Sequence, residues 1–588
     1  AVKPAFRPRA WTIAGVLVDT ATAEFQLPTE IDADRSRLLL TLGSSPLSVI
    51  KGLTYQLRVY PYYCTEQASS AAQPLIALYR AQRGLKGITL LKGDPKADIQ
   101  LAVSLLSRRQ RADGGIGYWS SEDWTTPWLS AYAGMTLIEA RAVGIAVDDS
   151  VLSRLGRYLR ASLDDPQPIR APVIGWYDRM QASLSDKVAA ADFLSRLGQA
   201  HVAAENELLR NAAQLAWEDR VRLAEVLARR KAFRAARGLL QPIWNTVKVE
   251  GRRATVPEAA FSYDHYFTSR VRPVGRLLTA TLAVDSANAL LGPLVETLVQ
   301  QSRAGALSPW NTQDYAAAVS ALAAFDKKVH AGAARPFTVQ GGGRTLFASA
   351  GVPVATARLT IGDSSVALTG MLGAGADGKS ALRLSLAANG AGSPIYYYLT
   401  VQEVPKQRPV NPEDRGIRVE RWYEKYDAKQ PIVSIAEGEL VRVRLRITVP
   451  EERQFLIVDD ALPAGLEAID LSLRTASLTP GPGIDEKSRY LTPEDAEGEG
   501  EEGARQESQW YYGSWDSGWW SPFDHKEMRD DRVLYSATIL WKGTYTMTYL
   551  ARATTPGTFI RPPAHAEEMY NPAVYGRSDG GSFTVTPK

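Results

Sequence analysis

The sequence predicts a multidomain fold in which an α/α toroid is inserted into one β-sandwich and is followed by a second β-sandwich. The chain has 588 residues, enough for about four domains at roughly 150 residues each. A long central segment is rich in Ala, Leu and Arg at helical spacing. The segments on both sides of it contain short alternating runs that are typical of strands.

Composition excludes several classes of protein. Apolar residues make up 45% and charged residues 22% of the chain, as in ordinary globular proteins. The formal net charge of +4 is small for this length, and a nucleic-acid surface would need a larger basic excess. We therefore expect no nucleic-acid partner. Because no stretch reaches the ~18 apolar residues of a membrane span, we also expect no membrane contact in this portion.

The first residues lack the features of a complete N-terminus. The chain begins at Ala1 without Met and shows no signal-peptide pattern. We therefore expect a processed or excised piece of a longer protein. The next residues, up to about 55, are predicted to be extended, with strands around 25–28 and 37–42. This segment is too short for a core of its own, so we expect it to pair with strands elsewhere in the chain.

Helical spacing dominates from about residue 57 to residue 333. Aromatic loops precede three of the helices, which are rich in small residues that let helices pack closely, as in the inner ring of an α/α toroid. A plain helical bundle is the alternative. The predicted helices lie near 66–82, 95–109, 127–143, 148–162, 184–199, 203–213, 218–229, 231–243, 270–284, 288–302 and 312–326.

Strand patterns return after Gly341–Gly343, and the prolines at 405, 409 and 412 indicate a linker. Alternating runs predict strands in both segments on either side of this linker. We expect these all-β pieces to form antiparallel sandwiches. The predicted domains are residues 1–56 and 336–408 together, 57–335, and 409–588. The predicted strands lie around 355–361, 396–401, 441–449, 533–540 and 544–553.

One insertion in the last domain has an unusual composition. An acidic, Gly-rich run lies between Glu494 and Glu502, and Trp and Tyr residues cluster between Trp510 and Trp520. The acidic part is predicted to be a solvated, mobile loop. The aromatic part is either a binding patch or a loop that packs back on the sheet.

Cys64 is the only cysteine, which excludes an intrachain disulfide and a Cys-rich metal site, and we expect no cofactor. Gln67 follows it at i+3 at the start of a predicted helix, where two side chains share a face. Enforced proximity would let the thiolate attack the Gln67 carboxamide, expel ammonia and form a thioester. Aromatic neighbours such as Tyr60, Tyr62 and Tyr63 could exclude water. The alternative is that Cys64 is a small buried apolar residue.

The run from Tyr60 to Gln67, with Cys-x-Glu-Gln after an aromatic-Pro-Tyr segment, resembles the thioester proteins, which include the alpha-2-macroglobulins and the complement components. Thr65 after Cys64, and the lack of other cysteines, resemble the C-terminal portion of the bacterial alpha-2-macroglobulins. The resemblance implies that the helices form a thioester domain inserted into a CUB-like domain. It also implies that the last domain is macroglobulin-like.

The resemblance further implies a protease inhibitor of innate defence, and not an enzyme. A bait segment is cut, the molecule rearranges, and a Lys amine of the protease attacks the exposed thioester. Cys64 would supply the sulfur and Gln67 the acyl group, whereas Glu66 is assigned no chemical role. The resemblance places the protein in the periplasm, anchored at the inner membrane through an upstream lipoprotein segment, and we expect a monomer. The bait, and therefore the target protease, lies outside this sequence.

The resemblance also implies a lock that shields the thioester. The stretch from Glu567 to Pro572 resembles the covering loop of the last domain, so Met569 would pack on Tyr60. A contact between methionine and an aromatic ring is worth only ~0.3–1.5 kcal/mol, weak enough for a conformational change to break. The alternative is that both are ordinary core residues.

Two other functions compete with the trap. Toroidal helical domains also occur in hydrolases and cyclases, and Cys64 with a distant histidine could form a cysteine hydrolase, but neither explains the spacing to Gln67. An adhesion module would use the aromatic cluster at 510–520 and leave Cys64 inert. His201 and His265 lack a recognisable catalytic context, so we expect the thioester to prefer amines over hydroxyls.

Overall fold

The computed structural model divides the chain into two compact units, one containing residues 9–306 and 310–404 and the other containing residues 405–588. The described residues are 9–58, 62–83, 90–91, 93–164, 179–260, 267, 269–302, 310–328, 335–349, 361–404, 406, 411–426, 428, 430–469, 489–491 and 523–588.

Twelve α-helices occur in the described part of the first unit. All eleven predicted helices are present, with ends close to the predicted ones. The helices are α1 (Leu47–Arg58), α2 (Thr65–Arg83), α3 (Pro95–Arg108), α4 (Pro127–Ala142), α5 (Asp149–Asp164), α6 (Arg179–Arg196), α7 (Val202–Arg210), α8 (Trp217–Arg229), α9 (Phe233–Trp244), α10 (Arg272–Val284), α11 (Leu291–Gln301) and α12 (Thr312–Lys328).

Helix α1 shows that the prediction of extended structure up to residue 55 was wrong. Its apolar residues Leu47, Ile50 and Leu53 recur at three-residue spacing and are buried, which is the pattern of a helix packed on one face. The neighbouring β-branched residues favour strands and obscured this pattern. The predicted domain boundary after residue 56 therefore falls inside a helix.

Six helices form a closed ring. Helices α2, α4, α6, α8, α10 and α12 each contact the next one, and α12 contacts α2. Each of the other six contacts two consecutive members of the ring. Small residues allow this packing, as the sequence suggested: a Cβ atom on Gly275 of α10 would lie 3.0 Å from the carbonyl oxygen of Ala317 in α12.

Apart from the hairpin of β4 and β5, the strands of the first unit flank the helices in sequence and form two sheets. One sheet has the order β1-β11-β3-β8, and the other has the order β2-β10-β6-β7 with β9 beside β10. Strands that precede the helices thus pair with strands that follow them, as expected. The strands are β1 (Arg9–Leu17), β2 (Thr20–Leu27), β3 (Arg37–Gly43), β4 (Lys248–Glu250), β5 (Arg253–Thr255), β6 (Phe337–Gly341), β7 (Arg344–Ala348), β8 (Ile361–Ala367), β9 (Leu372–Ala374), β10 (Ser380–Ala388) and β11 (Ile395–Glu403).

One hydrophobic cluster joins these two sheets and includes Phe25, Leu40, Phe337 and Leu399. The helices pack against the first sheet, because α1 contacts β3 and β11 and α11 contacts β1. The short strands β4 and β5 form a separate hairpin between α9 and α10. The helices therefore pack against the sheet that contains β3, the strand directly before α1 in the sequence.

The second unit is built from β-strands in its described residues, with sheets ordered β12-β24-β23-β16-β20-β19, β13-β15-β21-β17 with β18 beside β21, and β14-β25-β22. The pairing of β14 with β25 is parallel, which differs from the antiparallel prediction. The strands are β12 (Glu413–Arg415), β13 (Arg418–Lys425), β14 (Ser434–Ala436), β15 (Leu440–Val449), β16 (Arg453–Ala461), β17 (Leu466–Ala468), β18 (Arg489–Leu491), β19 (His525–Arg529), β20 (Arg532–Leu540), β21 (Gly543–Ala553), β22 (Gly557–Arg561), β23 (Ala564–Glu568), β24 (Asn571–Arg577) and β25 (Gly581–Thr586).

Strand β15 confirms the alternation seen in the sequence. Its Val443, Leu445 and Ile447 are buried in the core of this unit, and arginines alternate with them. The acidic and aromatic cluster at 494–520 lies outside the described residues, and so does nearly all of the strand predicted at 355–361. Among the described helices, none has the length and apolar character needed to cross a membrane.

Two glycines in helices provide a test of this packing. A Cβ atom on Gly52 of α1 would lie 2.2 Å from Tyr398 Cδ1, whereas a Cβ atom on Gly238 of α9 would meet nothing within 4 Å. We expect Gly52→Ala to destabilise the protein by about 1–3 kcal/mol through overpacking. Gly238→Ala should stabilise it by about 1 kcal/mol through helix propensity. Denaturant unfolding of both variants measures this, and equal stability would contradict the packing described.

Candidate functional site

The structure brings Cys64 and Gln67 together at the start of α2. Both residues are buried, with exposed fractions of 0% and 1%. The backbone N–H of Cys64 donates to Gln67 Oε1 at 3.2 Å, and the backbone N–H of Gln67 donates to Cys64 Sγ at 3.4 Å. The backbone of each residue thus holds the side chain of the other.

These two hydrogen bonds suit a condensation between the side chains. A backbone N–H at the start of a helix that donates to Gln67 Oε1 would stabilise negative charge on that oxygen during attack at the carboxamide carbon. The N–H that donates to Cys64 Sγ, together with the helix N-terminus, would stabilise negative charge on the sulfur during such a reaction. The pair would therefore offer a nucleophile, an electrophile and a donor for the developing oxyanion.

A neighbouring loop fixes the backbone around Cys64. The backbone N–H of Thr65 donates to the carbonyl of Tyr118 at 2.8 Å, and its hydroxyl donates to the carbonyl of Gly117 at 2.6 Å. Arg109 Nη2 donates to the carbonyl of Tyr63 at 2.7 Å. The residues on both sides of the cysteine are therefore attached to the segment that joins α3 to α4.

Aromatic side chains surround this end of the ring. Tyr118 stacks on Trp124, with ring centroids 4.6 Å apart, and lies 6.0 Å from Phe267. Trp128 lies 5.6 Å from Phe267 and 5.3 Å from Tyr132. These rings belong to the aromatic loops that the sequence places before α4 and α10, and to the start of α4. The sequence signal was therefore present, but the stacking of the loops on one another was not predicted.

Glu66 is the main residue that the sequence analysis missed. It is fully buried, and its carboxylate accepts hydrogen bonds from Ser70 Oγ, from Thr312 Oγ1 at 2.7 Å and from Gln313 Nε2 at 2.5 Å. Ser70 Oγ also lies 2.8 Å from the Tyr132 hydroxyl. The pKa of Tyr132 is raised, mainly by burial and secondly by the charge of Glu66. A buried carboxylate is thus fixed in the same turn as Cys64 and Gln67.

The predicted lock is not brought together by the described residues. Tyr60 lies outside them. Met569 is buried in the second unit, and its backbone N–H donates to the carbonyl of Phe455 at 3.0 Å. Of the neighbours expected to exclude water, Tyr62 is buried and Tyr63 is 43% exposed. The pairing of Tyr60 with Met569 stays a prediction.

Two of the described histidines, His201 and His565, have hydrogen-bond partners close to them in sequence. His201 caps α7, with its Nδ1 accepting from the backbone N–H of Ala204 at 3.2 Å, and His565 lies 2.9 Å from Glu567. His265 lies outside the described residues. Within the described ranges, no group of three or more His, Cys, Asp or Glu side chains is arranged to hold a metal ion.

Comparison with known proteins gives matches along nearly the whole chain. Residues 416–573 match the family described as the bacterial alpha-2-macroglobulin MG10 domain. An alpha-2-macroglobulin homolog of Nostoc is 25% identical over 97% of this chain and 28% of its own length. The alpha-2-macroglobulin of Escherichia coli is 24% identical over 91% of this chain and 29% of its own length. The chain thus spans less than a third of the length of these relatives.

Two solved structures share the fold. Native alpha-2-macroglobulin from Escherichia coli, spanning domain MG7 to the C-terminus, superposes with a TM-score of 0.71 at 22% identity, over 100% of this chain and 83% of that chain. Salmonella alpha-2-macroglobulin reacted with methylamine superposes with a TM-score of 0.70 at 23% identity, over 99% of this chain and 34% of that chain.

Two carboxylates of α6 give a test of the electrostatics of the ring. Asp186 accepts from the backbone N–H of Trp128 at 2.7 Å, and burial raises its pKa well above the usual value. Burial alone would also raise the pKa of Asp192, but the charges of arginines, including Arg196 and Arg222, outweigh it and hold that pKa well below the usual value.

The two aspartates should therefore respond oppositely to replacement by asparagine. A raised pKa costs stability above the unfolded value of about 3.9, so Asp186→Asn should stabilise the protein at about pH 7 and have no such effect at about pH 3. Asp192→Asn should destabilise it by about 3–5 kcal/mol at neutral pH, and this difference should shrink as acid protonates the wild-type carboxylate. Unfolding midpoints across this pH range measure both effects. If both substitutions changed stability in the same direction at about pH 7, the raised pKa of Asp186 and the lowered pKa of Asp192 would be contradicted.

Proposed function

Because the chain matches bacterial alpha-2-macroglobulins along nearly its whole length, we propose that Cys64 and Gln67 form a thioester that captures proteases covalently. The observation that carries this proposal is the reciprocal pair of hydrogen bonds between these two buried residues. A cysteine held as an ordinary apolar residue would have no need of this arrangement.

Formation of the bond requires no other reactant. The sulfur of Cys64 attacks the carboxamide carbon of Gln67, the C–N bond of the carboxamide breaks, and the thiol proton leaves with the nitrogen as ammonia. Ordinary thiols do not displace an amide, but a pair fixed in contact gains an effective molarity of about 10⁵–10⁸ M. The N–H of Cys64 would stabilise the oxyanion that forms on Gln67 Oε1.

In the capture step, the sulfur of Cys64 is the leaving group. An unprotonated lysine amine of the protease attacks the thioester carbon, an amide bond forms between the protease and residue 67, and the C–S bond breaks. The proton lost by the amine then restores the thiol of Cys64. Methylamine is a small amine that could react in the same way, and the Salmonella relative has been studied after reaction with it.

Burial and the aromatic rings would protect the bond before capture. Water hydrolyses a thioester, so survival of the bond requires that water be excluded from the sulfur and the acyl carbon. The reactive residues are buried, and Tyr118, whose carbonyl accepts from Thr65, stacks on Trp124. The absence of water would also keep the electrostatic contribution of the N–H donors strong.

The proposal extends to the architecture. We propose that the closed ring of six helices is the inner ring of an α/α toroid, and that it forms the thioester domain. The sandwich interrupted by the helices would be the CUB-like domain. The β unit after residue 404 would be the macroglobulin-like domain, which the MG10 match at 416–573 supports.

The roles of the whole protein also belong to the proposal. We propose that a bait segment outside this sequence is cut by the attacking protease and triggers exposure of the thioester. The protein would act as a monomer in the periplasm, anchored at the inner membrane by an upstream lipoprotein segment. It would prefer amines to hydroxyls because no histidine is assigned to catalyse acyl transfer.

Intact mass tests the thioester. We expect the untreated chain to be lighter by one ammonia than its sequence requires, and methylamine to add across the bond while one thiol becomes titratable. Gln67→Ala should abolish both effects because it removes the acyl group. Gln73→Ala is the matched control in the same helix, where the side chain donates to Thr136. A wild-type chain of full mass with a reactive thiol would contradict the proposal.

The lock has its own test. If Met569 shields the thioester together with Tyr60, Met569→Ala should accelerate the reaction with methylamine by about two- to tenfold, since such a contact is worth ~0.3–1.5 kcal/mol. Met547→Ala is the control, because Met547 lies in the hydrophobic core of the same unit. Equal methylamine rates for Met569→Ala and the wild type would exclude the shielding role.

A further inference from the structure

We propose that Glu66 is a positioning residue for thioester formation, and that it makes the bond depend on closure of the helical ring between α2 and α12. This inference rests on the proposed thioester. It adds a residue to the site and a requirement on folding, and both follow from the contacts of the Glu66 carboxylate.

Glu66 lies on a different side of the first turn of α2 from the reactive pair. Residues at i and i+3 share one face of a helix, so Glu66, which lies between Cys64 and Gln67 in sequence, points elsewhere. Its carboxylate meets α12 instead, where Oε2 accepts from Thr312 Oγ1 at 2.7 Å and Oε1 accepts from Gln313 Nε2 at 2.5 Å. Each oxygen of the carboxylate accepts from a different side chain of α12. These two hydrogen bonds fix the rotation of the turn about the helix axis.

The orientation of Gln313 is itself determined by charge. An amide offers an acceptor oxygen on one side and donor hydrogens on the other. Gln313 Oε1 accepts from Arg272 Nη1 at 2.9 Å, and Arg272 Nε donates to Glu218 Oε1 at 2.7 Å. With its oxygen directed to the guanidinium, Gln313 presents its NH₂ group to Glu66. The carboxylate is therefore held by a network that reaches α8 and α10.

Besides Ser70 in the same helix, the partners of Glu66 come from the far end of the helical segment. Thr312 and Gln313 are the first residues of α12, 246 and 247 residues after Glu66. Helix α12 is the last member of the ring, and its contact with α2 closes the ring. The rate of an intramolecular attack falls steeply when the reacting atoms are misplaced. The turn thus reaches its reactive geometry only after α12 has docked.

A matched pair of substitutions at Thr312 separates positioning from general stability. Thr312→Val keeps the shape of the side chain and removes the hydroxyl donor, whereas Thr312→Ser retains the donor. Thr281→Val in α10 is the control, because it removes a buried hydroxyl that accepts from Trp244 Nε1 at 2.9 Å. Glu66→Gln is a second, independent variant. Intact mass gives the fraction of each purified chain that lacks one ammonia, and thermal unfolding gives its stability.

We expect Thr312→Val and Glu66→Gln to lower the thioester fraction by about tenfold or more, since a ~1 Å misplacement can cost about 100-fold in rate. Thr312→Ser should restore it. Thr281→Val should keep the wild-type fraction although its unfolding midpoint falls. A wild-type fraction in Thr312→Val and Glu66→Gln, or an equal loss in Thr281→Val, would overturn the positioning role. A wild-type chain without the ammonia deficit would instead contradict the thioester itself.

Discussion

The reciprocal hydrogen bonding between Cys64 and Gln67 is the constraint on which the account of this protein depends. The backbone N–H of each residue donates to the side chain of the other, which holds both side chains at the same turn. In solution such a pair would separate and remain inert. A folded chain can keep it in contact because the entropy of bringing the groups together has been spent during folding.

The support comes from both sides of the turn. The loop before α4 binds the backbone on one side through Thr65, and α12 binds Glu66 on the other. A single helix could not provide this, because an isolated first turn has few hydrogen bonds of its own and frays readily. The closed ring converts contacts between distant segments into a fixed local geometry. This links the global fold to the chemistry that one turn can perform.

Much of the fold could be predicted from the sequence, because helical spacing and strand alternation are local signals. The eleven predicted helices and β15 are examples, and the resemblance to the bacterial alpha-2-macroglobulins is confirmed by matches along the chain. Helix α1 was missed because β-branched residues hid its spacing. Cys64 and Gln67 could be selected because their spacing is itself local. Glu66 could not be assigned, because its partners Thr312 and Gln313 lie at the other end of the helical segment.

A high-resolution crystal structure of the untreated chain would test the central claim most directly. The quantity to measure is the distance between Cys64 Sγ and Gln67 Cδ, with the electron density that joins them. We expect continuous density at covalent distance and no amide nitrogen on residue 67. A separate thiol and an intact carboxamide in van der Waals contact, in a chain never exposed to amines, would contradict it.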